Sequence, residues 1–205
     1  MLDRVELEKI GLKYDRDVVL KSVTAHLHPC VVYGISGPNG SGKSTLMQII
    51  SGNLSPDRGR IQHFSNRELI PANLVYKEMS FSAPYIRIPG ALKLREVLDF
   101  SGKMKPWRNG LHSSAILALS GLEESADKKI KDFSSGMKQR VKLLLSVLQD
   151  SSLLLLDEPT TNLDDRAKAW FKDLLAAHSE DRIVLIASNE TEDLELCSEF
   201  IRLPS

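Results

Sequence analysis

Two rhythms of hydrophobic and polar residues alternate along this chain. Val5-Glu6-Leu7-Glu8-Lys9-Ile10 and parts of Val18 to Leu27 switch between apolar and polar positions, the period-two pattern of strands in a half-exposed antiparallel sheet. Val31-Val32-Tyr33-Gly34-Ile35 is instead a continuous apolar run, as a buried strand is, and Thr45 to Ile50 follows with helical spacing. Ser51-Gly52 ends that helix and Pro56-Asp57-Arg58-Gly59 forms a turn. Short strands are expected from Arg60 to Phe64 and over Met79-Ser80-Phe81-Ser82, the latter stopping at Ala83-Pro84.

The middle of the chain changes character. Leu94, Val97, Leu98 and Met104 give an amphipathic helix between Leu92 and Met104, and a second covers Ser113 to Ser120 until Gly121 breaks it. Pro106-Trp107 lies in the loop between them, where the ring reads as a packing group. Strand-rich flanks around this stretch predict a helical subdomain, roughly residues 85–140, inserted into an α/β core. A long apolar helix runs through Val141 to Leu148, and then four leucines, Leu153 to Leu156, end in Asp157-Glu158-Pro159. So apolar a strand belongs at the centre of a sheet, and it delivers its acids to the C-terminal edge, where open α/β sheets bind ligands. A helix from about Asp165 to His178 and strands at Ile183 to Ala187 and Phe200 to Leu203 continue the alternation. The expected fold is α/β: a mainly parallel sheet with right-handed crossovers, preceded by an antiparallel β subdomain.

Composition narrows the possible partners. The 205 residues carry 27 Lys+Arg against 27 Asp+Glu, so no global field recruits nucleic acid or an anionic surface, and no basic block marks a nucleic-acid partner. Cys30 and Cys197 lack metal or redox spacing, which fits a reducing compartment. No signal-peptide core and no run of eighteen apolar residues occurs in the sequence, so the chain is expected to be a single domain that does not itself span a bilayer.

Candidate chemistry gathers at three places. Gly37, Pro38, Asn39, Gly40, Ser41, Gly42, Lys43, Ser44 and Thr45 match the phosphate-binding pattern G-x-x-x-x-G-K-[S/T], set between a strand and a helix as that pattern requires. Glycines let successive N–H groups converge on an anion, Lys43 adds charge near the β- and γ-phosphates, and Ser44 offers a hard oxygen to Mg²⁺. Asp157, at the end of its strand, is placed for a water-mediated contact to the same Mg²⁺. Phe133-Ser134-Ser135-Gly136-Met137-Lys138-Gln139-Arg140 opens a helix, where the hydroxyls either cap it or meet a phosphate. Tyr14, between the first two strands, is either a packing residue or a face for a purine. His26 and His28 have H-x-H spacing but no third ligand close in sequence.

Taken together, the phosphate loop, F-S-S-G-M-K-Q-R and L-L-L-L-D-E-P-T-T-N-L-D resemble the nucleotide-binding subunits of ATP-binding cassette (ABC) transporters, from Tyr14 to Asn189. The resemblance implies a P-loop NTPase core that binds ATP and Mg²⁺, with Tyr14 stacking on adenine. It implies that Ser135, Gly136 and Met137 contact the γ-phosphate held by the opposite subunit of a head-to-tail dimer, across which Asp164 communicates. Glu158 would orient and deprotonate the attacking water. The second cassette would be an identical or a different subunit, and a separate membrane-spanning permease would carry the transported compound, with this chain peripheral on the cytoplasmic face of the cell membrane. An ATP-gated dimerisation switch with no transport role is the alternative.

Two positions depart from the family pattern. Where the family has glutamine after the strand ending near Ser82, this chain has Pro84, which can neither donate nor ligate through a side chain. Where it has histidine after the strand following the catalytic glutamate, this chain has Asn189, which can donate a hydrogen bond but carries no imidazole charge. Hydrolysis is therefore expected to persist at a reduced rate.

Overall fold

The computed structural model describes residues 1–15 and 17–204, which divide into two compact units. The first holds residues 1–81, 151–158 and those from 179 onward; the second holds 82–150 and 159–178.

In chain order the strands are β1 (Leu2–Tyr14), β2 (Asp17–Leu27), β3 (Val32–Ser36), β4 (Arg58–Ser65), β5 (Glu68–Ile70), β6 (Met79–Ser82), β7 (Leu153–Asp157), β8 (Ile183–Ala187) and β9 (Glu199–Arg202). The helices are α1 (Lys43–Ile50), α2 (Val75–Glu78), α3 (Leu94–Met104), α4 (Ser113–Ser120), α5 (Ser135–Leu148), α6 (Asp165–Ala177) and α7 (Thr191–Leu194).

Two sheets build the first unit. An antiparallel one runs β2-β1-β4-β5, and a second runs β6-β7-β8-β3-β9, in which β7–β8, β8–β3 and β3–β9 pair parallel. The antiparallel sheet and the parallel strands with their helices are those expected from the apolar patterns. In β1, Val5 and Leu7 are buried, and so are Ile10 and Leu12, a spacing that slips by one residue between the pairs. A register shift between Leu7 and Ile10 absorbs the slip, with Lys9 in the left-handed region at φ 51°, so that Ile10 still faces the core. Tyr14 closes β1 as a strand residue opposite Asp17 rather than lying outside the strands, and the residue is 51% exposed.

Every residue of β7 and of β8 is buried, which is why these strands read as unbroken apolar runs. Each fully buried leucine stabilises the fold by about 1.5–3 kcal/mol. Their core partners include Leu46, Met47, Ile49 and Ile50 of α1 together with Ile35 and Leu7.

The second unit is mostly helical. Leu94, Val97 and Leu98 of α3 and Val141, Leu144 and Leu148 of α5 are buried, as their helical spacing requires. Trp107 is 7% exposed, and a Cβ added to Gly102 would lie 2.4 Å from its indole nitrogen; the ring is the packing group the sequence implied.

Candidate active site

Strand register creates the site. Within the first unit Ile35 of β3 and Asp157 of β7 both stand opposite Ala187 of β8. The residues that follow each strand therefore leave the sheet at the same edge: the loop from Gly37, then Glu158, then Ser188 and Asn189. Parallel pairing alone brings together groups about 150 residues apart in sequence, as the Lys43–Asn189 hydrogen bond spans.

Gly42 caps α1 at φ 95°, in the left-handed region that glycine adopts freely. Space demands it too, since a Cβ there would lie 2.9 Å from both Val19 and Leu20 side-chain carbons. This turn starts the helix at Lys43, whose side chain is 7% exposed. Its ammonium has three protons to donate. Acceptors for them are Gly37 O at 2.8 Å, Pro38 O at 3.2 Å and Asn189 Oδ1 at 2.8 Å. Pro38, Asn39 and Gly40 are exposed along the loop, with Ser41 and Thr45 half-buried.

Asn189 is the junction of the site. Its Nδ2 donates to Glu158 Oε1 at 2.9 Å and to Asn39 Oδ1 at 2.6 Å, while its Oδ1 receives Lys43. One amide thus joins the loop, the lysine and the glutamate.

The two acids occupy different environments. Asp157 is 2% exposed, and burial pushes its carboxyl above the usual range, against a hydrogen bond from Ser44 and the charge of Lys43. Among the described residues its Oδ1 is buried with no hydrogen-bond partner. An orphaned buried carboxylate oxygen beside a serine hydroxyl suits a hard divalent cation, so this pair fits Mg²⁺. Glu158 has φ 48°, a left-handed conformation that costs of order 1–3 kcal/mol in a non-glycine residue. Its N–H bonds Ala187 O at 2.7 Å. Burial raises its carboxyl above the ordinary value, and Asp157 adds to this, while hydrogen bonding from Asn189 and the charge of Lys43 oppose it.

The remaining candidates lie in the second unit. Ser134 caps α5, its side chain accepting from Met137 N at 3.2 Å. The capping signal of Ser134 is legible in the F-S-S-G run, where a hydroxyl precedes the first turn of the helix. Ser135 is exposed, with Gly136 and Met137 half-buried beside it. Gly136 has a spatial reason: a Cβ would lie 2.9 Å from Asn162 O. Helix α5 thus packs directly on the segment leading to Asp164, which caps α6 by accepting from Ala167 N at 2.8 Å. At the departed position, Lys142 of α5 donates to the carbonyls of Ala83 at 3.3 Å and Pro84 at 3.2 Å. Burial lowers its ammonium below the ordinary lysine value.

Comparison with known proteins agrees with this architecture. The sequence model of the ABC transporter family matches residues 20–161, well over half of the chain, and the chain belongs to that family. It is similar to the lantibiotic transport ATP-binding protein SrtF of Streptococcus pyogenes, 29% identical over 96% of this chain and 85% of that protein. It is 33% identical to the daunorubicin/doxorubicin resistance ATP-binding protein DrrA of Streptomyces peucetius over 72% of this chain, spanning 46% of the relative. A solved Pyrococcus furiosus structure, assigned as the ATP-binding protein of an ABC transporter, superposes with a TM-score of 0.81 at 26% identity, covering 98% of each chain. Among the described residues no helix is long and apolar enough to cross a membrane.

Proposed function

We propose that this chain is the ATP-binding, ATP-hydrolysing subunit of a transporter and energises movement of a compound through a separate membrane-spanning partner. The observation that carries the reading is the convergence of Lys43, Asp157, Glu158 and Asn189 at one sheet edge beside a glycine-bent loop. The family and the names of its relatives, which include ATP-binding proteins of lantibiotic transport and drug resistance, support it.

In this reading the loop amides from Gly37 to Thr45 and the Lys43 ammonium hold the β- and γ-phosphates, and Tyr14 offers its exposed ring to adenine. Ser44 and Asp157 would hold Mg²⁺, whose charge offsets that of the phosphates. Glu158 orients and deprotonates water for in-line attack on the γ-phosphorus. Ser135, Gly136 and Met137 serve the nucleotide of the opposite cassette, and Asp164 lies beside that interface. ATP then favours the closed pair and hydrolysis releases it, a population shift driven by differential binding. With Pro84 and Asn189 in place of glutamine and histidine, turnover is slower than in a cassette that has both.

The test is affinity capture of the Glu158→Gln variant with ATP from detergent-solubilised membranes, followed by mass spectrometry. Recovery of a polytopic membrane protein in fixed proportion supports the transporter reading. Recovery of soluble proteins alone, or of the chain by itself, replaces it with the ATP-gated switch.

A further inference from the structure

Behind Glu158 stands a second carboxylate that the mechanism above leaves unused. Asp193, in the short helix α7, is 1% exposed, and a buried carboxylate is costly unless it is well hydrogen-bonded. Its Oδ2 lies 2.7 Å from Ser188 Oγ. Ser188 is itself 1% exposed, and its Oγ also accepts Glu190 N–H at 3.0 Å and lies 3.3 Å from Glu158 Oε2.

A serine hydroxyl has one proton, and here two carboxylates face it. The 2.7 Å contact to Asp193 has the length of a charge-assisted O–H···O⁻ bond and the 3.3 Å contact to Glu158 does not. The proton therefore points to Asp193. What Ser188 turns toward Glu158 is oxygen. Among the described residues the side chain that donates to Glu158 is Asn189, whose Nδ2 meets Oε1 at 2.9 Å, and Ser188 leaves the lone pairs of Oε2 to another partner.

We propose that Asp193 is a positioning residue for the hydrolytic base: by drawing the Ser188 hydroxyl proton to itself, it keeps Glu158 Oε2 open as the oxygen that accepts the proton of the attacking water. The inference rests on the ATPase reading and adds to it a polarity for the hydrogen-bond chain Glu158–Ser188–Asp193. An amide at position 193 would reverse that polarity. With the charge gone from position 193, Glu158 is the one carboxylate left facing the hydroxyl, so whichever way the amide is turned the proton would swing to Glu158 Oε2 and the oxygen meant for water would be occupied.

The experiment compares Mg²⁺-ATP turnover and nucleotide affinity in the purified chain and in Asp193→Asn, Ser188→Ala and the double variant, after thermal melting has established that each is folded. Asp193→Asn is expected to lower kcat about tenfold, the scale of one hydrogen bond to a charged group, with nucleotide Kd unchanged. Adding Ser188→Ala removes the misdirected hydroxyl, so the double variant turns over faster than Asp193→Asn alone and reaches the rate of Ser188→Ala. A double variant no faster than Asp193→Asn overturns the inference, because damage that is only structural does not recover when a second contact is deleted. If Asp193→Asn does not fold, Asp193→Ala also removes the acceptor, and the same ordering with and without Ser188→Ala decides the matter. Absence of turnover in the unmodified chain overturns the ATPase reading and this inference with it, whereas turnover without the rescue overturns this inference alone.

Discussion

Lys43 and Asn189 are joined by a 2.8 Å hydrogen bond across 146 residues of sequence, and that bond uses the ammonium proton left over by the loop carbonyls of Gly37 and Pro38. A phosphate arriving in the loop has to compete for the same proton. Asn189 is also the donor to Glu158, so occupancy of the lysine and orientation of the glutamate are coupled through one amide.

Asn189→Ala separates the two roles. Without the competing acceptor, ATP is expected to bind about fivefold more tightly, the worth of one net hydrogen bond near 1 kcal/mol, while turnover falls because Glu158 loses its donor. Fluorescence titration of a nucleotide analogue and steady-state phosphate release measure the two effects. Asn189→His is expected to raise turnover above that of the unmodified chain. An ordinary family rate in the unmodified chain, left no faster by histidine, removes the argument that asparagine slows hydrolysis.

Glu158→Gln keeps the shape and the Asn189 contact but removes the base. Turnover is expected to drop by about 10²–10⁴-fold, the usual contribution of a positioned general base. ATP should then hold two chains together, visible as a shift to dimer mass in light scattering with ATP and not with ADP.

Lys142 holds the loop that carries Pro84 by its two carbonyl contacts. Lys142→Met keeps the apolar stem and removes the donor. Hydrogen exchange over residues 83–90 is expected to accelerate, with helix α5 itself unchanged. Exchange that stays slow shows that the loop is held by packing alone.

Much of this architecture is legible in the sequence because burial leaves a simple imprint. Leu153 to Leu156 are apolar without interruption since both faces of β7 are covered, and that places Asp157 and Glu158 at a sheet edge on pattern alone. The loop from Gly37 to Thr45 is legible because its chemistry needs fixed residue types at fixed spacing. Short polar elements leave no such imprint: β5 has three residues, none buried, and α2 has four with only Val75 buried. Ser188 and Asp193 escape for another reason. Their pairing depends on the turn from β8 into α7, and a serine ending a strand followed by acids looks the same as a solvated loop. The packing of Gly136 on Asn162 is likewise a tertiary contact with no local signal.

His63 offers a pH test that is independent of nucleotide. It is 3% exposed in β4, and its Nε2 lies 2.8 Å from Ile50 O at the end of α1. As the acceptor is a carbonyl, the ring nitrogen donates, capping the helix that begins at Lys43. Burial holds its pKa below the ordinary 6.5, more than the Ile50 contact restores. A base whose folded pKa is depressed binds fewer protons folded than unfolded. Its contribution to stability is therefore complete above the unfolded value and is lost as pH falls from about 6.5 toward the folded value. The melting temperature of the unmodified chain is expected to fall between pH 7.5 and pH 5. His63→Gln, which keeps a donor for Ile50 O and does not titrate, should lower the melting temperature at neutral pH and flatten that slope. An equal slope in both proteins would assign the acid sensitivity to other groups.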